Sequence, residues 1–261
     1  MDIQQLKSLK ILLIGDSCAD HYYYGVCERM SPEAPVPIFK VLKTEKKGGM
    51  ALNVKPNLEG LNATVEILTN REQIVKSRHI DNKSRQHLLR VDWGEDQEVQ
   101  PLSDADIDSV DFQSFDGIII SDYNKGLLSP KVIKKILIKS QNKKIFVDSK
   151  KQDLSCYENC ILKINQKEHK CATNFPVNCE LIVTLGEDGA EYGGKRFTTQ
   201  KVEIFDVCGA GDTFLSALAC AYLKTDDMGR AIKFANQCSG VVVQKFGTYA
   251  IKKEDVYDLC F

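Results

Sequence analysis

The sequence predicts an α/β fold, with a mostly parallel central sheet, helices on both of its faces and a small β lid. Three observations carry this. Five short apolar runs each stop in polar residues, helical spacing fills the intervals between them, and two stretches break the pattern. Alternating strands and helices imply βαβ units, and a wholly apolar strand suits a parallel sheet covered on both faces. At 261 residues the chain can bury one sizeable core, so 1–261 is expected to be a single domain.

Taken in order, Ile11–Ile14 is the first buried strand, and it stops at Gly15-Asp16, with Asp20 four residues on. From Gly25 to Lys47 the chain is punctuated by Pro32, Pro35 and Pro37, which keeps it out of a sheet centre. Asn53 is read as the cap of a helix holding Val54, Asn57, Leu58 and Leu61, with Pro56 in its first turn, where no N–H is needed. A strand follows at Thr64–Thr69. Ile74–Trp93 reads as a hairpin about Asp81–Ser84. The segments 25–47 and 74–93 together make the expected lid, which would exclude water from a site beneath it.

The remaining strands repeat one grammar. Gly117–Ile120 ends in Ser121-Asp122, Lys144–Val147 in Asp148-Ser149-Lys150, Ile161–Ile164 in Asn165 to Glu168, and Leu181–Val183 in Thr184 to Glu187. Between them Ser129-Pro130 is a cap and first helical position, ahead of Val132, Ile133, Ile136 and Leu137 on one face. Asp226 or Asp227 caps a late helix with Ala231, Phe234, Ala235 and Cys238 inward. Ligands of open parallel sheets sit beyond the carboxyl ends of the strands, so these polar endings point to one shared site.

The stretch from Asp206 to Leu218 supplies the chemistry. Val202 and Ile204 read as a strand end before it, and Phe214, Leu215, Leu218, Ala219 and Tyr222 recur at helical spacing after it. Gly209-Ala210-Gly211 is then a turn that opens a helix. Glycines let an anion approach the backbone, and the helix start adds amide donors and a partial positive charge. Asp212 sets a carboxylate at the rim. A hydroxyl attacking a terminal phosphoryl group needs this pairing, a base for its proton and amides for the spreading charge. The residues alone leave open a glycine turn in which Asp212 merely caps a helix.

Composition excludes several classes. The 35 basic and 36 acidic residues nearly cancel, which argues against a nucleic-acid footprint. Met1–Lys10 lacks the apolar run of a signal peptide, and no apolar stretch reaches membrane-spanning length. The 10 cysteines form no Cys-x-x-Cys pair, and His21, His79, His87 and His169 are scattered, so reduced thiols in a cytoplasm and no zinc site are expected.

Asp206-Val207-Cys208-Gly209-Ala210-Gly211-Asp212-Thr213 resembles the C-terminal signature of the ribokinase-like (PfkB) sugar kinases. Gly15–Gly25, Arg29–Pro37, Leu88–Trp93, Ser121–Gly126 and Val241–Thr248 are similar to one branch of that family, which phosphorylates D-glycero-D-manno-heptose 7-phosphate at O1. The resemblance implies a ribokinase-like three-layer sandwich and transfer of phosphate from ATP with Mg²⁺ to a sugar or sugar phosphate. It implies Asp212 as base and Gly209, Ala210 and Gly211 as anion hole. Asp20, Gly48, Gly49, Asn53, Asp122 and Lys125 would meet the substrate, with Arg78 and Arg90 offered for the sugar's own phosphate, since guanidinium groups bind phosphate two-pronged. Lys150, Asn165, Glu168, Thr184, Gly186, Asn236 and Gly240 would hold the nucleotide, with Glu168 also organising Mg²⁺ through water.

The intervals Thr69–Arg78 and His169–Cys179 are shorter than in that family, so a helix and a strand, and then a second helix, are expected to be missing. Many bacterial relatives fuse a nucleotidyltransferase domain, and none is expected within 1–261. A homodimer through lid strands is the expected assembly. The alternatives are a kinase for another sugar or a nucleoside, and a trimmed inactive nucleotide-binding relative.

Overall fold

The computed structural model describes residues 8–94, 99–245, 247–257 and 259. In chain order the elements are β1 (Leu9–Gly15), β2 (Ser17–Met30), β3 (Pro37–Met50), α1 (Ala51–Gly60), β4 (Ala63–Thr69), β5 (Val75–Asp81), β6 (His87–Trp93), α2 (Asp104–Asp108), β7 (Gly117–Asp122), α3 (Pro130–Lys139), β8 (Lys144–Ser149), β9 (Ile161–Asn165), α4 (Gln166–Cys171), β10 (Glu180–Thr184), β11 (Ala190–Tyr192), β12 (Lys195–Phe197), α5 (Ala210–Thr225) and α6 (Met228–Val242).

Eight strands form the main sheet in the order β12-β11-β10-β9-β8-β7-β1-β4. From β4 to β10 all pairings are parallel, and β11 and β12 add an antiparallel edge. The wholly apolar strands are explained by cover on both faces. Successive side chains point to opposite sides. Ile11, Leu13, Ile119 and Phe146 pack with α1, α5 and α6, while Leu12, Ile14, Ile118, Ile120, Ile145 and Val147 pack with α3 on the other side. The expected α/β architecture is therefore observed. The winding reverses at β1, whose two neighbours are β4 and β7, and the crevice at such a reversal opens beyond the carboxyl ends.

The second sheet has the order β3-β2-β5-β6. Only Asp16 separates β1 from β2, and the chain returns at Met50–Ala51, where the Ala51 N–H bonds the Asp16 carbonyl at 2.9 Å. The sheet is thus rooted at the carboxyl edge of β1. It begins at Ser17, eight residues earlier than the lid read from the prolines, and Pro32 and Pro35 lie in the loop at its tip.

Local signals explain most ends. Ser129 accepts the Val132 N–H and Asp227 accepts the Arg230 N–H, so both read caps are present. Three expectations differ from the structure. Asn53 is the third residue of α1 and caps nothing; Met50 is the cap residue, with φ 54°. Pro56 then falls in the helix interior, beyond the first turn. Residues 201–204 are irregular rather than the end of a strand. The β11–β12 hairpin and α2 went unread, although Gly193-Gly194 is a two-residue turn signal and Ser103 with Asp106 forms a capping box. The connection from β4 to β5 is short and holds no helix, as the short interval implied.

Candidate active site

A cleft of about 460 Å³ opens beyond β7, β8, β9 and β10, within the size range of small-molecule sites. Its floor is the start of α5. Gly209 caps that helix in the left-handed region (φ 84°), and Thr213 N–H bonds its carbonyl at 2.9 Å. The first-turn amides of Gly211 and Asp212 are donors that the helix itself leaves unused. The Ala210 N–H is different: it bonds the Val207 carbonyl at 3.2 Å, so this amide is not bare as the sequence suggested.

Asp212 lies in this first turn and is only 7% exposed. Its Oδ2 accepts from Asn53 Nδ2 at 2.6 Å, and its Oδ1 from the Tyr123 hydroxyl at 3.5 Å. Burial pushes its carboxyl up to about 6; Asn53, Lys163 and Lys150 pull the other way, and Asp148 adds to the rise. The group is therefore a carboxylate at neutral pH with raised proton affinity, as a general base requires.

Lys163 and Asp148 were not selected from the sequence. They form a buried ion pair at 2.6 Å on adjacent strands, β9 and β8. A Cβ built on Gly211 would come within 3.2 Å of Lys163 Nζ, so this cation lies against the amide turn. The missed signal was a lysine inside an otherwise apolar strand, which stays buried only with a partner. Tyr123 also lines the cleft, with Lys150 Nζ 5.2 Å from its ring centroid.

The nucleotide candidates gather here. Lys150, Asn165, Thr184, Gly186, Asn236 and Gly240 all line the cleft. Asn236 is fixed by a bond from Nδ2 to the Phe197 carbonyl at 2.8 Å. A side chain on Gly240 would meet only Thr199 Oγ1, at 4.0 Å, so the wall is open there. Val202, Ile204, Val207 and Val243 give that end an apolar rim.

Asn165 and Glu168 are engaged with each other. They form the capping box of α4, and the second Glu168 oxygen holds Lys150 at 2.6 Å. Both Glu168 oxygens are thus occupied, and among the described residues no cluster of three acidic, histidine or cysteine ligands exists. A hard cation that keeps most of its waters still fits. Asp148 Oδ1 is buried, has no partner among the described residues and belongs to a residue lining the cleft.

The substrate candidates divide. Asp20 lies within β2 rather than in a turn beyond a strand, and it is buried against Arg78 at 2.5 Å. Gly49 lies beside it: a Cβ there would come within 2.5 Å of Asp20 Oδ2. Gly48 backs onto Leu52 instead. Lys47 pairs with Asp20 across β2–β3, so a cation joins this face of the lid. Asp122 does not face the cleft. Its carboxylate is buried in a knot with the Tyr157 hydroxyl, the Lys151 ammonium and the Asn124 N–H. Lys125 is likewise outside the residues that line the cleft, and its N–H is directed to Asp16 at 3.3 Å. Arg90 is 2.9 Å from Asp92 on a side chain 56% exposed to water.

A family model described as pfkB family carbohydrate kinase matches residues 57–255. The bifunctional protein HldE of Wolinella succinogenes is 34% identical over 91% of this chain and 62% of its own length; that of Nitratiruptor sp. is 33% identical over 95% and 64%. The chain spans less than two thirds of these relatives. The first match runs over 295 positions although this chain has 261 residues, so that relative carries segments absent here. Among solved structures, phosphofructokinase-2 from Escherichia coli in complex with potassium superposes with a TM-score of 0.72, at 14% identity over 96% of this chain and 97% of that one. Arabidopsis thaliana ribokinase complexed with ribose and ATP gives 0.67, at 14% identity over 96% and 98%. At such identity the likeness is one of fold, a ribokinase-like three-layer α/β sandwich.

Proposed function

Because this chain belongs to the pfkB family of carbohydrate kinases and is a phosphotransferase, we propose that it moves the γ-phosphoryl group of ATP to O1 of D-glycero-D-manno-heptose 7-phosphate, giving the 1,7-bisphosphate. The observation that carries the transfer is the buried Asp212 carboxylate in the first turn of α5, in the same turn as the Gly211 and Asp212 amides that the helix leaves unused, both residues lining the cleft.

ATP lies with its base between the 202–204 segment and α6, beside Asn236 and Gly240, and its phosphates run past Thr184, Gly186, Asn165 and Lys150 toward Gly211. Lys163 and Lys150 place positive charge beside the transferred group. The acceptor sits under the lid against Asp20 and Gly49. Its hydroxyl oxygen forms a bond to the γ-phosphorus as the bond to the leaving β-phosphate oxygen breaks, and Asp212 takes the hydroxyl proton. The amides of Gly211 and Asp212 bear the negative charge spreading over the phosphoryl oxygens. Asp148, and Glu168 through water, would hold magnesium, which when bound neutralises phosphate charge during transfer. We place the reaction in the cytoplasm, a reducing compartment that suits the nine described cysteines, all free thiols. A homodimer through the lid completes the proposal.

The test is turnover on a panel of sugars and sugar phosphates by wild type and Asp212→Asn. The variant should lose about 10²–10⁴-fold in kcat while calorimetry shows unchanged ATP affinity. Wild-type rates in Asp212→Asn would defeat the assignment of the base. A second reading, a kinase for an unphosphorylated sugar or a nucleoside, is favoured by one observation: Arg78 and Arg90 are both already ion-paired. Faster turnover on such acceptors than on heptose 7-phosphate would establish it. ATP binding with no turnover across the panel would instead mark an inactive relative.

A further inference from the structure

We propose that Tyr123 is a positioning residue for the base, its hydroxyl and Asn53 together fixing the Asp212 carboxylate from two sides. The inference rests on Asp212 acting as the base in the preceding reading.

Tyr123 follows the last residue of β7, at the carboxyl edge of the sheet next to the point where the winding reverses. Its hydroxyl reaches across the cleft floor to Asp212 Oδ1 at 3.5 Å, while Asn53 on α1 holds Oδ2 at 2.6 Å. The two donors come from separate elements and take one carboxylate oxygen each. That arrangement limits rotation about the bond carrying the carboxylate, a torsion that is otherwise broad. It also leaves Oδ1 a second lone pair for the acceptor hydroxyl. A 3.5 Å contact is long, as such contacts often are before substrate is seated.

Three further groups face Asp212: Asp148, Lys163 and Lys150. Lys150 lies over the Tyr123 ring and bonds Glu168, so the tyrosine also underlies the cation placed near the transferred phosphate. Burial and the charges of Asp212, Asp148 and Asp20 all push the Tyr123 phenol upward. The hydroxyl therefore keeps its proton over the working range and is always a donor to the carboxylate. Its removal leaves Asp212 with one neutral donor in a buried site.

Tyr123→Phe keeps the ring, its packing and the Lys150 contact and deletes only the hydroxyl. The expected result is a kcat lower by about 10- to 100-fold, the scale of a misplaced catalytic group, with ATP affinity and thermal midpoint unchanged. The acidic limb of kcat/KM should also move to higher pH, because losing a donor to a carboxylate disfavours its charged form. A purely structural role would not move that limb. Site-specific incorporation of 3-fluorotyrosine at 123 supplies the opposite change: a more acidic phenol donates more strongly, so the limb should move to lower pH. This arm also decides the matter if the phenylalanine variant folds poorly.

Wild-type kcat in Tyr123→Phe overturns the proposal. So does a fall in kcat with the limb unmoved in both variants. Failure here is separable from failure of the underlying reading. If Asp212→Asn is inactive and Tyr123→Phe behaves as wild type, only the positioning role falls; if Asp212→Asn turns over normally, the base assignment falls with it.

Discussion

A buried carboxylate among two lysines and a second aspartate has its stability and its activity set in opposite directions by pH. Asp212 illustrates this at the scale of one residue. Its carboxyl is raised to about 6 from an ordinary 3.8, chiefly by burial. Below the unfolded value the group is neutral in both states. Between about 4 and 6 the folded protein holds a proton that the unfolded chain has released, so the contribution of this group to stability is lost as pH rises through 6. The proposed role as base needs the ionised form, so kcat/KM should instead climb over that interval, with an acidic limb near 6. A rate profile from pH 5 to 8 checks this, and a limb at 4 would show that the carboxylate is solvated when it acts. The same scale shows how far sequence could go. Asp122 and Asp148 each end an apolar run, and nothing in the letters separates them. Asp148 is beside the cleft with an unpartnered oxygen, whereas Asp122 is tied to Tyr157 and Lys151. Which side a strand-end carboxylate takes depends on the last residue of register and on the loop that folds over it, and both are long-range facts.

At the scale of elements, the opening of α5 was the most legible part of the chain. Glycine at the cap, an acid in the first turn and apolar residues at helical spacing all agreed. The start of α1 misled because its cap is Met50, at φ 54°, a residue type with no capping side chain, while the residue that looks like a cap, Asn53, faces Asp212. Strand β2 was hidden because the lid face requires Asp20 at a position where a strand pattern expects an apolar side chain. Gly209 has φ 84°, and a Cβ there would meet Asn53 Nδ2 at 3.0 Å and Thr248 Cγ2 at 3.2 Å. Gly209→Ala should lose about 1–2 kcal/mol from the left-handed backbone alone. Gly193→Ala is the control, since Gly193 has φ 56° and nothing within 4 Å of a Cβ. Both variants should lower the thermal midpoint, Gly209→Ala by more, since only its Cβ also meets Asn53 and Thr248. Only Gly209→Ala should also lose kcat, because it displaces the Asn53 amide from Asp212, the proposed base. Equal activity in the two would show that the contact with Asn53 is dispensable.

At the scale of the whole molecule, the cleft is assembled from residues far apart in sequence. Asn53, Tyr123, Asp148, Lys163 and Asp212 meet because β1 reverses the winding and four parallel strands deliver their ends to one edge. Strand periodicity made that edge predictable; the side-chain pairs across it were not, because they join separate runs. The lid sheet bears on assembly. One of its faces carries Asp20, Tyr22 and Arg78, with Arg90 opposite Arg78. By alternation, the other carries Tyr23, stacked on His79 at 5.1 Å, together with Leu89 and Trp93. Leu89 and Trp93, on that one face, are 57% and 62% exposed, and large apolar side chains left in water on a single face suit an association site. Among the described residues no further strand pairs with β3 or β6, the two edges of this four-stranded sheet, and such edges offer backbone groups for pairing. Light scattering should therefore give a mass near twice 29.3 kDa. Leu89→Glu would have to bury an unpaired charge on that face, and its mass should fall to that of one chain. Because residue 89 is on the face away from Asp20, binding of ATP should persist in the monomeric variant. A wild-type mass of one chain, or a Leu89→Glu mass still that of two, would show that this face is not where copies of the chain meet.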